Sequence, residues 1–115
     1  MHVETRVGNY PGNIENLAKQ YSDGFFSLPL GRQDVHKCGL FMREEKDSYL
    51  LMISNCDTPC PDYNTIVTVF GPNEQRVTQI MHDFESNVDV EIKEAPDYLK
   101  EQNEYLMKLF KSLNF

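Results

Sequence analysis

Two cysteines, Cys56 and Cys60, lie four residues apart in "SNCDTPCPDYN", and a third, Cys38, sits two residues after His36. Nitrogen and sulfur donors in sets of four close tetrahedral zinc sites, so chemistry is sought here first. If the segment around these residues is a hairpin turning about Lys46, a register summing to 92 sets His36 against Cys56 and Cys38 against Ser54. Positions two apart on a strand share a face, and so do cross-strand partners. His36, Cys38 and Cys56 then converge with Cys60 a few residues beyond, and zinc is the one metal or cofactor this set suggests. A one-residue slip separates them. The competing expectation is Cys38 as a small buried hydrophobe, Cys56 and Cys60 as loop thiols, and no cofactor. Redox chemistry is disfavoured, because a nucleophilic thiol needs an electropositive setting and Asp57 and Asp62 flank this pair.

"GNYPGN" joins an alternating strand to a helix start. Backbone N–H groups at such a junction can hold an anion or a carboxylate ligand, which makes Gly8, Gly12 and Asn13 the ligand-binding candidates. The stretch lacks the lysine of a P-loop and the third glycine of a dinucleotide turn, so ordinary turn chemistry competes with that role. His82 and Asp83 adjoin on a helix, and His2 and Glu4 alternate on a strand. Acid–base catalysis needs such groups within hydrogen-bond reach in a cleft, and nothing in their spacing supplies that. There is no nucleophile elbow and no HExxH pattern. No catalytic residue is assigned, and the expectation leans away from an enzyme.

The net charge is −7, unevenly placed. From Asp83 to Glu104 there are eight acids and two lysines, a net −6 that leaves −1 for the rest of the chain. Such a field repels phosphate backbones and attracts basic surfaces. The expectation is no nucleic-acid partner, and a protein partner whose basic surface meets Asp89, Glu91, Glu94, Asp97, Glu101 and Glu104. A merely solvated face is the competing expectation. No apolar run approaches the ~18 residues of a membrane span, and "MHVETRVGNYP" lacks the basic end and apolar core of a signal peptide. Three cysteines do not make a fully paired secreted framework. A reducing, cytoplasmic setting without membrane association follows as the expectation.

The elements that must position these residues are read from periodicity. The 115 residues, 40% hydrophobic and 25% charged, suit one globular domain spanning 1–115. "HVETRVG" alternates as a half-buried strand, with Val3, Thr5 and Val7 on one face. Ile14, Leu17, Ala18 and Tyr21 form a helical stripe after Pro11. "FFSLPLGRQD" reads as a loop or short edge strand. "VHKCGLFMREEKDSYLLMISN" reads as a hairpin, and "NTIVTVF" as a third strand of β-branched character. A helix starting at Pro72 carries Val77, Ile80, Met81 and Phe84 on one stripe. "VDVEIKEA" alternates, with one face expected to see water. A final helix from Pro96 carries Tyr98, Leu99, Tyr105, Leu106, Leu109, Phe110 and Leu113.

The order β-α-β-β-β-α-β-α implies an α+β domain, with a mostly antiparallel sheet of about five strands and helices on one face. It approximates the split-βαβ (ferredoxin-like) plait with an extra strand and a C-terminal helix. Three functions fit these residues. The favoured one is a small acidic intracellular non-catalytic interaction or regulatory protein (an inhibitor, immunity factor or regulatory subunit). Its final helix has apolar surface enough to dock a second copy as a homodimer. The others are a small-ligand-binding regulatory domain built on "GNYPGN", and a zinc- or thiol-dependent protein built on His36, Cys38, Cys56 and Cys60.

Overall fold

The computed structural model describes residues 1–10, 12, 16–17, 26–27, 37–55, 63–87, 91–94, 97, 99, 104 and 108. Six strands form one sheet: β1 (His2–Asn9), β2 (Phe26–Ser27), β3 (Lys37–Glu44), β4 (Asp47–Asn55), β5 (Thr65–Gly71) and β6 (Glu91–Glu94). One long helix, α1 (Glu74–Asn87), joins β5 to β6. Helical backbone also occurs at Asn16 and Leu17, and at Leu99, Glu104 and Lys108. The strand order is β2-β3-β4-β5-β1-β6, every neighbouring pair antiparallel. β5 and β6 therefore run parallel with β1 between them, and α1 is the crossover. The result is an α+β single-sheet fold, and among the described residues Phe26–Ser27 forms a short strand at one end of the sheet.

The helix begins two residues later than Pro72 suggests. Asn73 is its N-cap: the Asn73 side-chain oxygen accepts from the Arg76 amide at 3.1 Å, and its carbonyl accepts from the Val77 amide at 3.0 Å. An asparagine cap satisfies helix-end donors that proline cannot address. The stripe behaves as its spacing dictates, with Val77, Ile80, Met81 and Phe84 all buried. They pack with Leu17 against Leu40, Tyr49, Leu51, Ile53, Val67 and Val69. Those strand residues alternate, so they define one face of the sheet.

The opposite face is not left to water. Leu50, Met52 and Phe70 occupy the alternate positions and are as deeply buried as the face under α1. Leu99 packs on this side, in a cluster with Val7 and Tyr63 that Ile66 adjoins. Near its centre the buried hydroxyls of Thr5 and Thr68 face one another at 3.4 Å. Leu99, a helical residue from beyond β6, thus packs on the face opposite α1. The apolar runs "YLLMI" and "IVTVF" explain it, because strands buried on both faces lose the inside–outside alternation.

The hairpin register is also corrected. Lys37 pairs with Ser54, Cys38 with Ile53 and Glu44 with Asp47, a sum of 91 rather than 92. The chain reverses over two residues, Glu45 and Lys46, which puts the centre between them rather than on Lys46. Two-residue loops match the twist of the strands they join. Here that geometry places Glu45 in left-handed backbone, at φ 50°, a conformation costing a non-glycine residue roughly 1 kcal/mol.

β1 and β5 are joined past their last ladder pair by a side chain. Asn64 donates from Nδ2 to the Tyr10 carbonyl at 2.8 Å and accepts at Oδ1 from the Tyr10 amide at 2.9 Å. Its own amide donates to the Gly8 carbonyl at 3.1 Å. The carboxamide thus acts as one more strand residue opposite Tyr10. Asn64→Asp keeps the acceptor but turns a carboxylate oxygen toward the Tyr10 carbonyl. It is expected to destabilise by about 1–2 kcal/mol, at least as much as Asn64→Ala, because one bond is lost and one contact becomes repulsive. Urea denaturation of the two variants measures this.

Candidate functional site

Of the acids between Asp83 and Glu104, Glu91 and Glu94 lie on the terminal strand of the sheet and Asp83 and Glu85 on α1. β6 is the terminal strand beside β1, contributing Glu91 and Glu94. α1 precedes it in the chain, with Glu85 in its final part and no base in its last turn. The helix dipole favours cations there, so this end is locally ill-matched by a few tenths of a kcal/mol. Asp83 accepts from the Gln79 carboxamide at 2.8 Å. Asp97 and Glu104 are exposed. Asp89 and Glu101 lie outside the described residues.

One guanidinium at this junction is shared by two carboxylates. Arg6 on β1 stands opposite Glu94 in the β1–β6 register. Its Nη2 contacts Glu4 at 2.8 Å, and its Nε lies 3.5 Å from Glu85 on α1. It also donates to the Thr5 carbonyl at 3.0 Å. Glu4 and Arg6 pair in register with Val69 and Val67, which puts them on the face that α1 packs against. Both are partly covered, and one Glu4 carboxylate oxygen is buried without a hydrogen-bond partner among the described residues. Two carboxylates on one arginine leave this junction negative even before β6 is counted. No sequence motif announces the triad, because its members are 79 residues apart. The available signal was that Glu4 and Arg6 occupy the polar phase of a strand that proves to be central.

A second ionic contact lies at the hairpin end. Arg76 donates from Nε to both Glu44 oxygens, at 2.9 and 3.0 Å, and from Nη2 to Glu44 Oε1. This fork ties the β3–β4 turn to the first turn of α1. At about one-third exposure it is a surface pair, worth up to about 1 kcal/mol. Beneath it Tyr49 is buried, and burial pushes its phenol above the ordinary value. Asp47 and Glu44 add to the rise and Arg76 opposes it. The folded state therefore holds this proton more tightly than the unfolded chain. The resulting stability is complete below about pH 10 and lost as pH rises through the folded value. Above about pH 10 the urea midpoint of the natural protein is expected to fall more steeply with pH than that of Tyr49→Phe.

The other candidate residues stand as follows. Gly8 is not in a turn: β1 runs on to Asn9, and Gly8 pairs with Thr65 on one side and Ile92 on the other. Gly12 lies against the Tyr10 ring, and Asn13 is outside the described residues. His36, Cys56 and Cys60 are likewise outside them. The convergence of His36, Cys38 and Cys56 needed Cys38 opposite Ser54, and Cys38 pairs instead with Ile53. No three His, Cys, Asp or Glu residues gather as a metal-binding group among the described residues. His2 lies 4.0 Å from Glu74, both exposed, and His82 is exposed on α1. Among the described residues no helix is long and apolar enough to cross a membrane.

No protein-family model matches the chain, and no curated protein or solved structure matches it.

Proposed function

We propose that the chain is a small acidic, non-catalytic interaction protein of the cytoplasm that binds a protein partner through that partner's basic surface, as an inhibitor, immunity factor or regulatory subunit does. The observation that supports this is that Glu91 and Glu94 lie on the terminal strand, α1 ends without a base, and Arg6 is already shared by Glu4 and Glu85. A local electrostatic mismatch of that kind is understandable where the negative field itself is used. Complementary potentials speed encounter and reject like-charged partners. A homodimer built through the final helix belongs to the same proposal, as does assignment of the fold to a split-βαβ plait extended by strands β2 and β3 and a C-terminal helix.

Capture of partners from native lysate at low and high salt tests the proposal. The expected result is a basic protein retained at low salt and released at high salt. Recovery of no partner at either salt refutes it.

A further inference from the structure

Resting on the interaction reading above, we infer that β6 is the docking strand, and that the partner presents a basic segment in extended conformation that pairs with its outer edge. β6 closes the order β2-β3-β4-β5-β1-β6, and among the described residues no strand pairs with its far side. In an antiparallel edge strand alternate residues turn their N–H and C=O groups away from the sheet. Half of the four residues Glu91–Glu94 therefore offer backbone bonds to an incoming chain. Addition of a strand gives affinity through the main chain and specificity through side chains.

Charge selects the occupant. Glu91 and Glu94 lie on this strand, and the Arg6 facing Glu94 in the register is taken by Glu4 and Glu85. Lys93 is the one cation β6 itself carries. A second copy would bring the same net charge of −7 to this edge, whereas a lysine- or arginine-rich strand brings the opposite sign. The far side of the sheet is less selective. There, among the described residues, β2 pairs with Cys38 and Gly39 of β3. The remainder of that edge, Leu40–Glu44, runs into a turn of mixed charge where Arg43 lies over the Phe41 ring, 5.6 Å from its centroid.

The test uses the full chain and a capped eight-residue peptide of alternating lysine and valine, followed by fluorescence anisotropy. Three controls accompany it: an alternating glutamate–valine peptide, the lysine peptide N-methylated at alternate residues, and the double variant Glu91→Lys, Glu94→Lys. The lysine peptide is expected to bind, and binding should fall about tenfold or more with the N-methylated peptide and with the double variant. N-methylation keeps the charge and removes strand pairing, so it remains decisive if the double variant fails to fold. Equal binding of the N-methylated peptide overturns the inference, as does no binding of the lysine peptide. A sedimentation mass of twice 13.4 kDa that reverts to 13.4 kDa in the folded double variant also overturns it, by assigning the edge to a second copy. Capture of a basic protein from lysate alongside a failed peptide experiment overturns only the strand pairing. Peptide binding that passes every control with no lysate partner overturns only the broader function.

Discussion

Gly71→Ala is expected to destabilise the protein by about 2–3 kcal/mol, a large effect for a single methyl group. Gly71 ends β5 across from Tyr49 on β4, and the Tyr49 ring lies over it. A β-carbon built on Gly71 falls 2.1 Å from Tyr49 Cδ1 and 2.4 Å from Cε1. Glycine within a strand commonly marks such close approaches. The ring has little freedom to yield, because Tyr49 belongs to the buried cluster under α1. Chemical denaturation of Gly71→Ala, Tyr49→Ala and the double variant decides the cause. Tyr49→Ala removes the obstacle, so the alanine at position 71 should then cost less than about 0.5 kcal/mol, giving a coupling well above ordinary additivity error. Additive costs would show that the glycine serves some other purpose.

Phe70→Ala is expected to cost about 3–5 kcal/mol, as much as Phe84→Ala. The two phenylalanines lie on opposite sides of the sheet. Phe84 comes from α1 and Phe70 from the alternate positions of β5, and both have 0% exposure. Were only the α1 side a packed core, Phe70→Ala would expose little new apolar surface and cost under about 1 kcal/mol. Equal losses in urea-derived stability are the signature of a sheet buried on both faces. They would also show that whatever covers the second face, Leu99 included, contributes to global rather than local stability.

Both effects involve features that the sequence carries without making them easy to read. "YLLMI" and "IVTVF" are continuous apolar runs, and such runs signal strands with two dry faces. That signal was available and points away from helices on one side only. The same continuity conceals the register. A strand with one wet face loses stability if it slips by one residue, so its alternation reveals its pairing. β3 and β4 have no such alternation, and the polar stretch "REEKDS" allows several turn centres. The two-residue turn at Glu45–Lys46 decides among them, and with it the pairing of Cys38.

What the sequence determined alone was local and periodic. The stripe Val77, Ile80, Met81 and Phe84 requires a helix with one buried side, and all four residues are buried. The alternation of β1 requires Val7 and Thr5 on one face, and both are buried there. The acidic composition of 83–104 is likewise a property of the chain before it folds. Only the tertiary structure decided which residues meet across distance. Arg6 reaches Glu85, Tyr49 lies over Gly71, and Asn64 closes the end of β1 on Tyr10. Strand order has no periodic trace, since it depends on how the crossover α1 carries the chain past β1. That order makes β6, with Glu91 and Glu94, the terminal strand among the described residues. The physical reason is the range of the forces involved: hydrophobic periodicity acts within one element, whereas register, edge and ion pairing are settled only when separate elements compete for the same surface.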